Sequence, residues 1–402
     1  MKRDVPYIPR FYIDETQYAT AINRVAFDNV EIDSDNLTYT WRGGDQQFIC
    51  DMNPARFLEF PASTNHEIFI PTGHANRHEL ETTKKYIAIL GHNLLASGSD
   101  VELTYGDNSV DDGFSFANTS DVSINEIINW KGASMTQTSG TFSYNGFSIC
   151  EIIANLDYND PELGIEVDNY KDLRIKLENT NANRSAGIGA VSYGSVYDMP
   201  LPADLQMTIT YEFGNDKVDT LSGKTFINRN WFQKPKWVNY QAPWGLDTLE
   251  ESGLTSNFNP MPESDLRKAG RRIYDLSFSF LSDDDVFATN PNVTTAGMQD
   301  NLFAGDTISY TPEDSNNTNL QLVGSSSITG TDDILTLYND NSIFSQLVQK
   351  TAGFSIPFIF QPNKNYARPD GFMYAVIDQN SIEIEQIGVN LFRTSLRIKE
   401  VW

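Results

Sequence analysis

At 402 residues the chain is too long for one ordinary hydrophobic core, and its 24 Phe, 18 Tyr and 6 Trp exclude disorder along its whole length. A net charge of −25 and the lack of long Lys/Arg clusters exclude a nucleic-acid-binding protein. No run approaches the about 18 apolar residues of a membrane span, and no apolar segment follows the first basic residues as it would in a secretory signal. We therefore expect a protein assembled in a cytoplasm.

The chain begins with a segment, 1–25, that reads as a short and partly extended arm. The next region, 26–204, consists of short β-like runs separated by Gly, Asn, Asp and Pro, which is typical of a β-sandwich or jelly roll. The strands predicted in this region lie at 37–41, 46–52, 55–60, 67–71, 85–90, 101–105, 141–153, 172–178 and 186–194.

A region with a different composition, 205–270, follows as a connector with one predicted strand at 205–213. Trp231, Trp237 and Trp244 lie among several prolines in its second half. Such a segment favours flat packing against a neighbouring surface over a flexible linker, which would be rich in Gly and Ser. These aromatic side chains could also line a sugar-binding platform, although a packed interface is the favoured interpretation.

The C-terminal domain is predicted over 271–402. An alternating strand at 273–281 precedes a long polar and acidic loop, 283–333, which we expect to reach toward a neighbouring subunit. One helix is predicted at 341–352, where Asn341 or Ser342 could cap its start and Gly353 fits its end. A further strand is predicted at 354–360.

The last thirty residues predict a two-stranded ribbon with one apolar and one charged face. The runs 381–385 and 391–401 alternate with period two, and the residues between them, 387–390, contain the Gly and Asn of a tight turn. Such a ribbon suits a barrel or a ring of sheets, and none of its residues indicates catalysis.

Four histidines are the first candidate ligands for a metal. His74 and His78 have the spacing of a helical pair, and His66 and His92 lie nearby, but no HExxH motif is present. Acidic clusters such as 283–285 could supply oxygen ligands for Ca²⁺, yet none matches an EF-hand loop. We therefore predict no catalytic residue, no metal site and no cofactor, with Ca²⁺ as the one alternative.

Two cysteines, Cys50 and Cys150, lie in apolar strand-like contexts. The sequence favours two buried free thiols, and a disulfide between them stays open as an alternative. The chain has no GxSxG motif, no phosphate-binding loop and no dinucleotide fingerprint.

Two stretches carry a resemblance to known proteins. The segment 86–94 with its GHNL sequence, followed by 101–103, resembles the strand passage of galactose-binding-like jelly rolls in phage structural proteins. The segments 272–283, 357–362 and 396–402 look like the ends of virion structural proteins of tailed phages, particularly marine ones. A strand–helix–strand–hairpin domain is also similar to the tail-tube-like domain that forms rings in tail tips.

The resemblance implies a mainly β protein with an N-terminal jelly roll and a C-terminal tail-tube-like β-domain that contains one short helix. It implies a non-enzymatic distal-tail or tail-hub component of the virion, bound to copies of itself in a ring and to other tail proteins. The residues predicted to form the interfaces are Trp231, Trp237, Trp244, Phe287, Phe303 and Trp402.

Two other functions stay open at this point. The first is a carbohydrate-binding adhesin. It would contact host surface glycan through aromatic side chains and through a bound Ca²⁺ ion. The second is a β-rich polysaccharide hydrolase or lyase, which would need two carboxylates at a fixed separation. A chain with 54 acidic residues always offers such pairs, so the sequence gives this alternative no support.

Overall fold

The computed structural model describes residues 7–22, 31–34, 49–52, 58–60, 65–72, 84–92, 94, 99–106, 122–123, 128–131, 146–152, 172–179, 186–213, 216–228, 270–287, 341–366 and 371–401. The architecture is mainly β, as the sequence predicts, and one large antiparallel sheet dominates it. The predicted strand at 37–41 lies outside the described residues.

The N-terminal half contributes twelve described strands and one helix, α1 (Glu15–Ala21). The strands are β1 (Arg10–Asp14), β2 (Glu31–Ser34), β3 (Leu58–Phe60), β4 (Asn65–Pro71), β5 (Lys85–His92), β6 (Ser99–Gly106), β7 (Val122–Ser123), β8 (Ile128–Lys131), β9 (Gly146–Ile152), β10 (Asp172–Asn179), β11 (Ala186–Ile188) and β12 (Ala190–Asp198).

The remainder of the described chain contains eight strands, a short helix α2 (Asp283–Val286) and one π-helix (Phe344–Gln349). The strands are β13 (Thr208–Glu212), β14 (Asp216–Asp219), β15 (Thr225–Asn228), β16 (Arg271–Leu281), β17 (Phe358–Gln361), β18 (Met373–Ile377), β19 (Ile384–Gly388) and β20 (Leu391–Glu400).

Eleven strands form the large sheet in the order β13-β16-β20-β18-β17-β1-β12-β5-β9-β8, with β19 paired to β20 beside this path. A second sheet of five strands has the order β2-β4-β10-β6-β7, and the pairs β3–β11 and β14–β15 stand apart from both. All of these pairings are antiparallel, which gives the described residues a β-sandwich-like architecture.

Strand β1 lies in the middle of the large sheet, although the sequence places it in the predicted N-terminal arm. It pairs with β12 on one side and with β17 on the other. Phe11 and Ile13 enter one hydrophobic core, while Tyr12 enters the core on the opposite face of the sheet. Because successive side chains of a strand point to opposite faces, this short strand is buried on both sides and joins the two halves of the chain.

The predicted terminal ribbon is present, although its first strand is Ile384–Gly388 and not the predicted 381–385. β19 and β20 are joined by Val389 and Asn390, and Asn390 takes a positive φ of 53°. On β20 the side chains of Thr394, Leu396 and Ile398 are buried, and those between them face solvent. β20 is also held by β16 and β18, so it is an interior strand of the sheet.

Three other predictions need correction or refinement. The loop predicted over 283–333 begins with the helix α2, and residues 288–333 lie outside the described residues. Residues 49–50, inside the predicted strand 46–52, form a 3₁₀ turn, and the side-chain amide of Gln17 donates a hydrogen bond to the Cys50 carbonyl. The predicted helix at 341–352 is present as the π-helix, and the Ser342 hydroxyl accepts a hydrogen bond from the Ser345 amide at 3.2 Å. Apolar spacing alone does not separate an α-helical turn from a π-helical turn.

Candidate assembly surface

The edge of the large sheet at β13 leaves the end of an apolar core uncovered. Ile209 pairs with Tyr274 of β16, and Tyr274 pairs with Ile398, so all three share the core-facing side of the sheet. Tyr274 and Ile398 are buried, whereas Ile209 and Tyr211 on β13 are 39% and 50% exposed. Within the described residues β13 has β16 as its one neighbour, so its other edge presents backbone groups for pairing.

The hairpin β14–β15, which follows β13 in the chain, also exposes apolar side chains. Val218 and Phe226 face each other across the two strands, and each is 62% exposed. Leu221, at the tip, is fully exposed, and Ile227 on the opposite face of the hairpin is 49% exposed. A two-stranded ribbon with so little buried apolar area is marginal alone, which indicates that it packs against another surface.

The tip of this hairpin is ordered by local hydrogen bonds. The Thr220 amide donates to the Lys224 carbonyl at 2.9 Å, and the Lys224 amide donates to the Thr220 hydroxyl at 3.1 Å. Gly223 has a φ of 77°, which the turn requires and which glycine adopts without strain. The hairpin is therefore ordered by its own hydrogen bonds, so a contact made through it would cost less conformational entropy.

We name this region the hairpin patch. It consists of the exposed apolar side chains of Ile209, Tyr211, Phe213, Val218, Leu221, Phe226 and Ile227.

A second exposed apolar region lies at the other end of β16. Phe280 is 66% exposed with a positive φ of 68°, which is unfavourable for a bulky residue. The pairing with β20 is irregular between Phe278 and Leu281, and this bulge lets both of those residues remain fully buried while Phe280 points to solvent. Strain retained at an exposed aromatic side chain is typical of a functional position.

Phe287 and the turn of the terminal ribbon complete this second region. The Phe287 ring meets the Phe392 ring edge-on, with centroids 5.3 Å apart, and remains 39% exposed. Val389 is 91% exposed and Leu391 is 37% exposed. We name this region the ribbon patch, consisting of Phe280, Phe287, Val389 and Leu391.

Of the six predicted interface residues, Phe287 is the one within the described ranges, and it lies in the ribbon patch. The other five lie outside the described residues, and their role stays a prediction: Trp231, Trp237, Trp244, Phe303 and Trp402. The sequence reasoning missed the hairpin patch, although Ser222-Gly223 between the short runs 216–219 and 225–228 is a hairpin signal.

A buried ionic cluster lies beneath the centre of the sheet and is the main alternative site. The Glu15 carboxylate accepts from Lys85 Nζ and Lys350 Nζ, each at 2.7 Å, and all three side chains are at most 2% exposed. Lys350 also contacts the Ser195 hydroxyl at 3.3 Å. Each oxygen of Glu15 thus faces one ammonium group, which ties α1 to β5 and to the residue after the π-helix.

Asp14, next to this cluster, caps the start of α1 and has a raised pKa. Its side chain accepts from the Gln17 amide at 2.7 Å and from the Ser192 hydroxyl at 2.8 Å. Burial raises the pKa of Asp14 to about 7, because removal from water disfavours the charged form more than these hydrogen bonds favour it. Ser192 contacts the Tyr86 hydroxyl at 2.7 Å, and burial raises the pKa of Tyr86 well above its ordinary value.

A second polar group spans the sheet through Arg10. Its guanidinium donates to Glu151 at 2.6 Å and to Asp198, while the Tyr12 hydroxyl donates to Glu151 at 2.7 Å. Burial alone would raise the pKa of Asp198, but hydrogen bonds and the positive charge of Arg10 hold it below its ordinary value. These contacts fix β1 against β9 and β12 through charge-assisted hydrogen bonds.

The remaining sequence candidates are distributed as follows. Burial lowers the pKa of His92 to about 3, and its Nε2 lies 2.8 Å from the Ser148 hydroxyl; His66 is buried beside the Phe60 ring. His74 and His78 lie outside the described residues. Cys50 and Cys150 are buried free thiols, as the sequence favours.

Among the residues that the structure describes, no group of three or more His, Cys, Asp or Glu side chains is arranged to hold a metal ion. None of the helices in the described ranges has the length and hydropathy to cross a bilayer. Neither a protein-family model nor a curated protein matches this chain. Its function must therefore be inferred from its own residues.

Proposed function

We propose that this chain is a non-enzymatic structural protein of a tailed-phage virion. It acts at the tail tip, as a distal-tail or fibre-adaptor component, and assembles with copies of itself into a ring and with other tail proteins. The observation that carries the proposal is the apolar surface of the hairpin patch, which includes one side chain more than 60% exposed on each strand of the hairpin. Exposed apolar side chains grouped in this way are typical of a protein–protein contact.

The charge of the chain supports contact at this surface. The hairpin 216–228 contains two acidic and two basic residues, Asp216, Lys217, Asp219 and Lys224, and is therefore neutral within a chain of net charge −25. Copies of a strongly acidic protein repel one another, so they are expected to meet where the charge is balanced.

The open edge of β13 supports the same proposal. An unpaired strand at the edge of a large sheet accepts a strand from another molecule, and proteins that stay monomeric usually protect such an edge. Thr208, Ile209 and Thr210 provide this edge with no charged side chain in its first three residues. The resemblance of segments 272–283, 357–362 and 396–402 to the ends of virion structural proteins gives the assembly its proposed place.

The location in a virion is tested with purified phage particles from the source of this sequence. An antibody raised against the full chain should label one end of the tail in electron micrographs, and mass spectrometry should find the chain in the purified particles. Absence of the chain from particles that contain the other tail proteins would refute the proposal. Labelling confined to the head would refute the proposed position at the tail tip.

A further inference from the structure

The buried cluster at Glu15 holds the two reactants of an amide bond in contact with each other. The Glu15 carboxylate accepts from Lys350 Nζ through Oε1 and from Lys85 Nζ through Oε2, each at 2.7 Å. The side chains of Glu15 and Lys350 are 0% exposed, and that of Lys85 is 2% exposed. An amine and a carboxyl group are thus fixed side by side away from bulk water, and such an arrangement replaces a chance encounter of the two groups.

Burial also changes the balance between the ion pair and the amide. An ammonium group and a carboxylate in the interior have lost their hydration, and the attraction between them often does not repay that cost. An amide carries no charge, and its formation releases one water molecule. A site closed to solvent also slows the reverse reaction, since hydrolysis needs water. The interior therefore favours the amide more than water would favour it for the same two groups.

The contacts of the cluster give the two lysines different roles. Lys350 Nζ also donates to the Ser195 hydroxyl at 3.3 Å, and that hydroxyl donates to Gln346 Oε1 at 3.2 Å, so the nitrogen of Lys350 is oriented from two sides. Lys85 Nζ holds the other oxygen of the carboxylate, where a positive charge stabilises the oxyanion that develops during attack on the carboxyl carbon. Lys350 is therefore placed as the nucleophile and Lys85 as the oxyanion donor.

We propose that Lys350 and Glu15 form an intramolecular amide bond after the chain folds. A proton passes from Lys350 Nζ to Glu15 Oε1, and the resulting amine attacks Cδ of Glu15 to form the C–N bond. Oε2 then carries the negative charge of the tetrahedral intermediate beside the Lys85 ammonium group. A second proton passes from the nitrogen to the Oε1 hydroxyl, the Cδ–Oε1 bond breaks, and water leaves while Oε2 becomes the amide carbonyl oxygen. One ammonium and one carboxylate thus give one amide and one water, with no other reactant.

This bond would join distant parts of the chain. Glu15 begins α1 directly after the central strand β1, and Lys350 directly follows the π-helix, 335 residues later. A covalent link that closes so long a loop stabilises a fold by restricting the unfolded chain. The inference does not depend on the proposed function. Before the bond forms, the three side chains make the ion pairs described above.

The direct test is the mass of the purified full chain. Its intact mass should fall below the mass of its sequence by one water molecule. A tryptic digest should contain peptide 11–24 joined to fragment 273–364, which stays uncut at Lys350 because trypsin does not cleave after an amidated lysine. In denaturing electrophoresis the closed loop should migrate faster than the open chain of the Lys350→Arg variant.

Three variants assign the roles of the lysines. Lys350→Arg keeps the positive charge but cannot form the amide, so it should have the full mass of its sequence. Lys224→Arg, at an exposed position of the hairpin, is the matched control and should keep the loss of one water. Lys85→Met removes the ammonium group beside Oε2 and should slow bond formation on the order of 100-fold, followed by mass in samples taken after cell-free synthesis.

The unmodified chain alone decides the inference, so the result stands even where a variant fails to fold. If the folded chain keeps its full mass after days of incubation, the inference is overturned. A digest that joins peptide 11–24 to Lys85 would overturn the assignment of Lys350 as the nucleophile. Neither outcome changes the proposal of assembly in a virion, which is tested by the location of the chain in purified particles.

Discussion

Asp14 gives the sharpest test of the buried centre of the sheet, because its carboxyl group has a raised pKa of about 7. In the unfolded chain an aspartate titrates near its ordinary value of about 3.9. Between these values the folded state holds a proton that the unfolded state has released, so this group's contribution to stability is complete at low pH and is lost as the pH rises toward 7. The linkage relation makes that loss on the order of 4 kcal/mol.

The perturbation is Asp14→Asn, which keeps a cap oxygen for the Gln17 amide but cannot ionise. Urea unfolding of both proteins between pH 4 and pH 8 should show the variant gaining stability relative to the unmodified chain as the pH rises. The relative gain should be on the order of 4 kcal/mol by pH 8. Asp284→Asn, in the exposed helix α2, is the matched control and should follow the unmodified chain. Parallel curves for Asp14→Asn and the unmodified chain would refute the assignment of the raised pKa to Asp14.

Three further substitutions test the packing. Glu15→Gln should lower the free energy of unfolding by about 3–5 kcal/mol, because it leaves two buried lysines without a carboxylate. The control Glu385→Gln, in an exposed ion pair, should lower it by less than about 1 kcal/mol. Equal effects of the two substitutions would contradict the structural role of the cluster. Phe280→Asn should leave the free energy of unfolding unchanged or raise it by up to about 1 kcal/mol, since Asn tolerates positive φ better than Phe. A loss above about 2 kcal/mol would show that the Phe280 side chain packs inside its own chain. Gly194→Ala should destabilise the fold by several kcal/mol, because the added Cβ would lie 1.9 Å from the Ile13 carbonyl oxygen. An unchanged thermal unfolding temperature would refute this close approach of β12 to β1.

The terminal ribbon could be predicted from sequence because its evidence is local. The alternation within β20 and the positive φ required at Asn390 involve neighbouring residues alone. Thr394, Leu396 and Ile398 are buried as that alternation indicates.

The place of β1 could not be predicted, because its partners are distant in the chain. Arg10 pairs with Asp198 on one side and with Gln361 on the other, and a five-residue strand has no local feature that identifies either partner. Pro6 and Pro9, upstream of the strand, favour an extended arm when the sequence is considered alone. The central position follows from long-range pairing of the whole sheet.

The sequence predicts an interface in the tryptophan-rich connector and does not indicate the hairpin patch. The hairpin has strands of four residues each, which are too short for a clear period-two signal. Lys85 and Lys350 were equally hidden, since a lysine in sequence indicates solvent exposure unless its buried partner is known. Both features depend on contacts that composition and periodicity do not encode.

The central claim is that exposed apolar surface on this chain exists to hold copies of it together. The most direct measurement is the mass of the unmodified full chain in solution by light scattering or native mass spectrometry, across a range of concentrations. The account predicts a closed oligomer at an integral multiple of 45.2 kDa. A mass of one chain at every concentration, up to those present in an assembling virion, would contradict it.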